Sequence, residues 1–313
     1  RVLKPAVAAV ANKIDFDGLT MAKNSTANIV GTAGSPPTSL LTYLTAGAYL
    51  DAEGAPRDGR RSCIVEPFTG ATIVDSLKGL FVPSDVIGKQ YQKGMMGRDS
   101  AGMNWKMDQN VVNQTFGSYA TATLACATTT ATGFLATGWA QTSTIALTAT
   151  TATAGLKQGD IIQIAGIYAV NPQNRSAYGS GKLRNFVVTT DVTVATSGTT
   201  AVTVSPAVIT GGQFQNVSVL STSATAVVTP FNNSGTTSPQ NIVMHKNAFT
   251  LATADLELPD GVVFAGRASD KELGLSMRVI RQYTINNDSI PTRVDVLYGW
   301  APLYPELACR VAA

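Results

Sequence analysis

The chain has 313 residues, a formal net charge of +3 and only 14% charged side chains, against about 25% in an average soluble protein. Near-neutrality without a Lys/Arg cluster argues against a dedicated nucleic-acid binder, which needs a basic patch to release counterions. The 44% hydrophobic content argues against a highly charged disordered chain, and no run approaches the roughly 20 apolar residues of a membrane span.

Leu3, Val7, Val10, Ile14 and Met21 fall on one stripe at helical spacing, and Pro5 is tolerated in a first turn. A helix is predicted over 5–24. The start at Arg1, without methionine or a basic-then-apolar leader, reads as a chain lacking its natural beginning. Residues 31–37 form a turn-rich linker. Thr38 is expected to cap a second helix carrying Leu40, Leu41 and Leu44, ended by Gly54 and Pro56. RSCIVE (61–66) reads as a short buried strand. Short helices are expected near 68–77 and 85–93, and a strand over 103–111.

The composition then changes. Residues 109–156 and 192–244 hold no Asp, Glu, Lys or Arg, and Ala and Thr dominate the first stretch. Short β-branched runs at 161–164, 186–190, 201–205 and 215–220 are separated by Gly, Asn, Ser and Pro. That pattern predicts a small all-β barrel or sandwich, with a disordered Thr/Ala linker as the alternative. A compact β module near 117–240 is expected to have adjacent ends, because insertions succeed where their ends meet. Further on, Leu275, Met277, Val279, Tyr283 and Ile285 alternate with more polar neighbours, as do Val294, Val296 and Tyr298. With a turn at 286–289, this predicts an antiparallel hairpin of strands 275–285 and 293–298, each with one buried face, packed near the 5–24 helix. No repeat of fixed period is evident.

Chemistry is sparse. There is no glycine-rich phosphate loop and no G-x-S-x-G elbow. Cys63, Cys126 and Cys309 stand far apart and read as buried or inert thiols, with a Cys-His nucleophile pair as the alternative. The single histidine, His245, is able to act as acid or base, but reads better as structural. Asp15 with Asp17 and Asp255 with Glu257 read as solvated charges; the second pair lies in a strand-like segment, where spacing of two puts both on one face. Asn171-Pro172, Gly179 and Gly181 read as loop punctuation. Lys93, Met95, Met96, Arg98, Trp105 and Lys106 form either an adaptable contact surface or plain core. No catalytic, cofactor-binding or metal residue is expected.

Six spaced blocks resemble, in order, the P22-like coat protein family of tailed bacteriophages. KPAVAAVANKIDFD (4–17) resembles its spine helix. DGRRSCIVEP (58–67) and KGMMGRDSAGMNWKMDQNV (93–111) resemble its axial domain. GLKQGDIIQIAGIYAVNPQNRSAYGSGKLRNFVVT (155–189) resembles its inserted β-barrel, and HKNAFTLATADLELPDG (245–261) the return from it. GLSMRVIRQYTINNDSIPTRVDVLYGWAPLYPELACR (274–310) resembles its closing hairpin and tail. The resemblance implies an α+β Hong Kong 97-type major capsid fold. The spine helix of a peripheral domain is then at 1–24, an axial domain at 25–116, an inserted all-β barrel at 117–240, and a return with the C-terminal hairpin at 241–313. It implies a virion subunit, assembled in the bacterial cytoplasm into hexamers and pentamers of an icosahedral shell. Its implied partners are other copies of itself, scaffolding protein, a portal protein, packaged double-stranded DNA in weak non-specific contact, and a decoration protein; no membrane is involved.

Two departures stand out. The family's N-terminal arm and extended β-loop ahead of the spine helix are not in this sequence. The stretch at 133–143, which most resembles a charged contact loop of the type member's insertion, carries no charge. Two other readings remain: an encapsulin-like protein shell, and a secreted Thr-rich β adhesin.

Overall fold

A computed structural model describes residues 3–77, 94, 96, 100–120, 122–126, 134–150, 152–179, 181–219, 226–231, 233–270 and 274–313. The elements begin with α1 (Leu3–Ser25), β1 (Ile29–Gly31), α2 (Leu40–Ala52), β2 (Arg61–Val65), α3 (Pro67–Ser76), β3 (Asn104–Met107) and β4 (Asn113–Thr115). The Thr- and Ala-rich stretch holds β5 (Leu124–Cys126), β6 (Phe134–Leu135), β7 (Ser143–Ala149), β8 (Ala154–Leu156), β9 (Ile161–Ala169), β10 (Leu183–Val188), β11 (Val192–Val194), β12 (Thr200–Ser205), β13 (Val208–Ile209), β14 (Val217–Val219) and β15 (Ala226–Pro230). The chain closes with β16 (Thr237–His245), β17 (Phe249–Ala254), β18 (Phe264–Asp270), β19 (Leu275–Arg281), β20 (Thr292–Pro302) and β21 (Ala308–Ala312). The protein is thus α+β and mostly strand, with three α-helices among the described residues. It divides into two compact units, Arg1–Met21 with Phe249–Leu303, and Ala22–Ala248 with Tyr304–Ala313.

The larger unit holds a six-stranded sheet in the order β1-β21-β16-β2-β3, with β4 also on β16. β21 fills the place between β1 and β16, so the last residues belong here and not with the hairpin that precedes them. α2 packs Tyr43, Ala46 and Leu50 into the core beside Cys63, Val65, Ile73, Val243 and Val311, the i, i+3, i+7 stripe of a half-buried helix. Its cap is Ser39 and not the predicted Thr38: Ser39 is extended, and its Oγ accepts the Leu41 N–H at 3.2 Å. The expected 103–111 strand is shorter, because Asp108 Oδ1 takes the Asn110 N–H and turns the chain. The predicted 85–93 helix lies outside the described residues.

The stretch from 124 to 230 is strand-rich. β9 pairs with β10, β10 with β12, β12 with β7, β7 with β5, β5 with β15, and β15 returns to β9, every step antiparallel. The pairing therefore closes on itself, with β14 flanking β9. Partners across the ring are apolar: Phe186 faces Ile162, Val188 faces Val204, Val202 faces Ile145, and Val228 faces Leu124 and Ile164. All are buried, each contributing about 1.5–3 kcal/mol relative to exposure. The chain enters and leaves this stretch side by side. Thr115 pairs with Thr237, the Phe116 N–H donates to Thr236 O at 2.9 Å, and the Gly235 N–H to Gly117 O at 3.0 Å.

The smaller unit is the first part of α1 with an antiparallel sheet ordered β17-β20-β19-β18. The predicted hairpin is present, with Met277 opposite Val296 and Val279 opposite Val294. Its first strand stops at Arg281, because Ile285–Asn287 turn as a 3-10 helix and Asp288 takes φ 44°. The expected deep burial of one face is not found: Met277, Val279, Val294 and Val296 are only half-buried. The hairpin does meet the helix, through the Tyr298 hydroxyl to Asp17 Oδ2 at 2.7 Å and the Trp300 Nε1–H to Ile14 O at 2.9 Å. Gly18 makes this possible, since a Cβ there would stand 2.6 Å from Trp300 Cε2.

That contact opposes helix propensity. Gly18→Ala should gain about 1 kcal/mol of propensity and lose about 1–3 kcal/mol to overpacking. The variant is expected to be less stable than the parent in urea unfolding, with altered tryptophan fluorescence before the transition. A higher urea midpoint would contradict the packing account.

Candidate functional site

Cys63, Cys126 and Cys309 are buried thiols. Burial pushes the Cys63 thiol well up and the Cys309 thiol to about 12, so both stay protonated and poorly nucleophilic at neutral pH. His245 is buried in β16. Its Nδ1 accepts the Asn247 N–H at 3.3 Å, which leaves the proton on Nε2, 3.2 Å from Asp58 Oδ1.

The acidic pairs serve as anchors. Asp17 is held by Lys13 Nζ at 2.6 Å and by Tyr298, and these two bonds, the Lys13 one first, lower its pKa. Asp255 and Glu257 lie beyond the end of β17, so they do not share a strand face; Asp255 meets Arg267 at 3.2 Å, and the Glu257 carbonyl accepts from Arg278. Asp51 receives Arg57, and Arg61 at 2.7 Å. The Arg57 hydrogen bond, seconded by Arg61, holds its carboxyl below 3.8. Among the described residues no three His, Cys, Asp or Glu side chains are grouped to hold a metal. Met96 is core, and Trp105 leans on Tyr43 with ring centroids 4.9 Å apart. Lys106 is exposed, while Lys93, Met95 and Arg98 lie outside the described residues. Asn171 Oδ1 caps a turn by accepting the Gln173 N–H. In the neutral 134–143 loop, Trp139 is 71% exposed.

Sequence reasoning missed a buried polar node in the larger unit. Lys23 Nζ donates to Gln114 Oε1 at 2.6 Å, and Gln114 Nε2 donates to Asp160 Oδ1 at 3.0 Å. Asp160 Oδ2 also accepts the Gly117 and Lys157 amides. Arg310, fully buried, donates to Gly159 O at 2.8 Å. Burial lowers Lys23 to about 8 and Arg310 to about 10, and raises Asp160 against its amide bonds. The node ties the end of α1, β4, the turn before β9, and β21 together. Its four residues come from four separate segments, so no spacing rule reveals it.

The smaller unit has the opposite character. Many of its large apolar side chains are exposed: Ile285 is 83% exposed, Ile290 60% and Phe264 55%, with Phe16, Val263 and Leu297 exposed as well. Scattered exposed apolar residues are ordinary, but a concentration of large ones marks a surface meant to be covered. No helix among the described residues is long and apolar enough to cross a membrane.

A coat protein model matches the sequence over residues 1–310, which makes this chain a bacteriophage capsid protein, a component of the virion. The chain belongs to the family described as P22 coat protein, gene protein 5. No individual curated protein matches it.

Two outcomes test the polar groups. Asp160→Ala leaves Lys23 and Arg310 buried without their counter-charge and should cost about 3–5 kcal/mol in urea unfolding; a loss near zero would show the node to be solvated. For Asp51, a folded pKa below the unfolded one means its contribution is present above pH 3.8 and disappears as pH falls through the folded value. Asp51→Asn should therefore be less stable than the parent at pH 7 and converge with it as the pH falls below 3.8. A gap that stays constant with pH would exclude the ionic account.

Proposed function

We propose that this is the major capsid protein of a tailed bacteriophage, self-assembling into hexamers and pentamers of an icosahedral head around double-stranded DNA. In this reading the fold is of the Hong Kong 97 type. α1 is the spine helix, and the closed ring of strands between β5 and β15 is an inserted barrel. The observation that carries the reading is the uncovered apolar surface of the smaller unit. Ile285, Ile290 and Phe264 stand in water in the single chain, and a shell subunit must bury large areas against several copies, on the order of 1,600 Å² per interface or more. Membership of the coat protein family supports the same reading.

The remaining partners are a scaffolding protein, a portal protein and a decoration protein, with assembly in the host cytoplasm. Contact with DNA is weak and non-specific, in keeping with a net charge of +3. No residue is catalytic and no metal or cofactor is required. The neutral 134–143 loop with exposed Trp139 suits contacts made by apolar burial and backbone or Thr/Asn hydrogen bonds more than by ion pairs.

The test uses Ile285→Asp with Ile290→Asp. Both sites are exposed, so the isolated subunit should unfold within about 0.5 kcal/mol of the parent. Assembly should suffer instead, because two buried isoleucines per contact contribute about 3 kcal/mol or more, on the order of a hundredfold in association. Electron microscopy and sedimentation should show few particles from the variant. Parent shells should stay intact up to about 1 M sodium chloride, where the screening length is about 3 Å. Normal particle yield from the variant would refute the assigned surface, and dissolution along the salt series would show ionic contacts to dominate.

A further inference from the structure

The end of α2 and the segment leading into β10 are joined by three contacts between residues more than a hundred positions apart. Arg184 Nη1 meets Glu53 Oε1 at 2.5 Å, and both side chains are almost fully buried. Lys182 Nζ sits 3.4 Å from the centroid of the Tyr49 ring and 5.8 Å from that of Tyr178, a cation–π arrangement strengthened by partial desolvation. The Tyr178 hydroxyl donates to Ala52 O at 2.5 Å, satisfying one of the carbonyls that a helix end leaves without an intrahelical partner.

This junction is built against local preference. By the period of two, Arg184 shares a face with Phe186 and Val188, which are core residues of the strand ring. The β9–β10 ladder breaks at this residue: Leu183 pairs with Tyr168, but Asn185 pairs with Gln163. The longer side of the break contains Gly166 at φ 83°, a conformation that favours glycine. Such interruptions re-aim a side chain at the expense of the ladder. Arg184 also leaves its Nε–H without an acceptor among the described residues. A buried ion pair is a poor route to stability, since apolar residues of similar volume do as well or better, but it fixes one geometry among several.

We propose that Tyr49, Glu53, Tyr178, Lys182 and Arg184 form a clasp that sets the angle at which the strand ring of β5–β15 stands on α2, and through that angle the curvature of the assembled shell. The second half rests on the shell reading; the first does not.

The experiment compares the full-length parent with Glu53→Leu/Arg184→Met, which replaces the ion pair by apolar volume, and with the milder Lys182→Gln. In the double variant thermal stability should be retained or raised. Hydrogen exchange in the unassembled subunit should nonetheless accelerate at the amides of Glu53, Gly54 and Ala55, now bonded to Tyr49, Asp51 and Leu50, by about tenfold or more as that helix end opens locally. Lys182→Gln should show the same pattern more weakly. Particles from the double variant should be mixed in size where the parent gives one. Unchanged exchange in both variants would overturn the clasp. Faster exchange with particles of uniform parental size would overturn only its link to curvature. A parent that forms no particles under any condition would overturn the shell reading, while the exchange data still decide the clasp.

Discussion

One strand carries the larger unit. β16 is nine residues long and hydrogen-bonds to three others: β4 at its start, β21 along its middle, and β2 at its end. Through β4 it holds the point where the chain enters the Thr- and Ala-rich stretch beside the point where it leaves. Through β21 it holds the last residues, and through β21 in turn β1. Pairing along both edges satisfies its backbone N–H and C=O groups. Gln240, Asn241 and His245 lie buried within it, each with side-chain bonds to nearby groups.

The scarcity of charge gives the few buried charges their meaning. A chain with 14% charged residues still places Lys23, Asp160, Arg184 and Arg310 inside. Each stands where separate segments meet: the node where the chain enters the Thr- and Ala-rich stretch, and Arg184 at its contact with α2. Apolar contacts tolerate sliding, whereas a hydrogen-bonded charge in low dielectric loses steeply when moved. Apolar cores stabilise the two largest sheets of the larger unit, and the buried charges fix how the segments between those sheets are joined.

Much of the architecture was legible because its periodicities are local. The stripe Leu3, Val7, Val10, Ile14 marks α1, and the alternation around Met277 and Val294 marks the β19–β20 hairpin. Ser39 displaced Thr38 as a cap because adjacent hydroxyl residues are equivalent in sequence and only the backbone decides. β17 and β18 were not delimited because the clear alternation in this stretch, Ala254 to Leu258, runs beyond the end of β17. The half-burial of Met277 and Val279 was not legible either: alternation tells that a face is apolar, not that the same chain covers it. The node escaped for a stronger reason. Lys23, Gln114, Asp160 and Arg310 share no spacing, and each alone reads as an ordinary surface residue. The burial of the three cysteines was readable because they stand far apart in the sequence with no C-x-x-C pair.

The ring formed by β5, β7, β9, β10, β12 and β15 also bears on how copies of the chain meet one another. Its sequence is rich in Val, Ile and Thr and, from 109 to 156 and 192 to 244, carries no Asp, Glu, Lys or Arg to repel another copy. Such segments are the ones that stack into cross-β aggregates when their edges are free. A capsid subunit is needed at high local concentration, where this hazard is greatest. By returning to β9, the ladder turns its own edges into pairs and spares the most adhesive third of the chain from meeting its copies edge to edge. Charge, the usual safeguard, is scarce there; closure of the sheet takes its place.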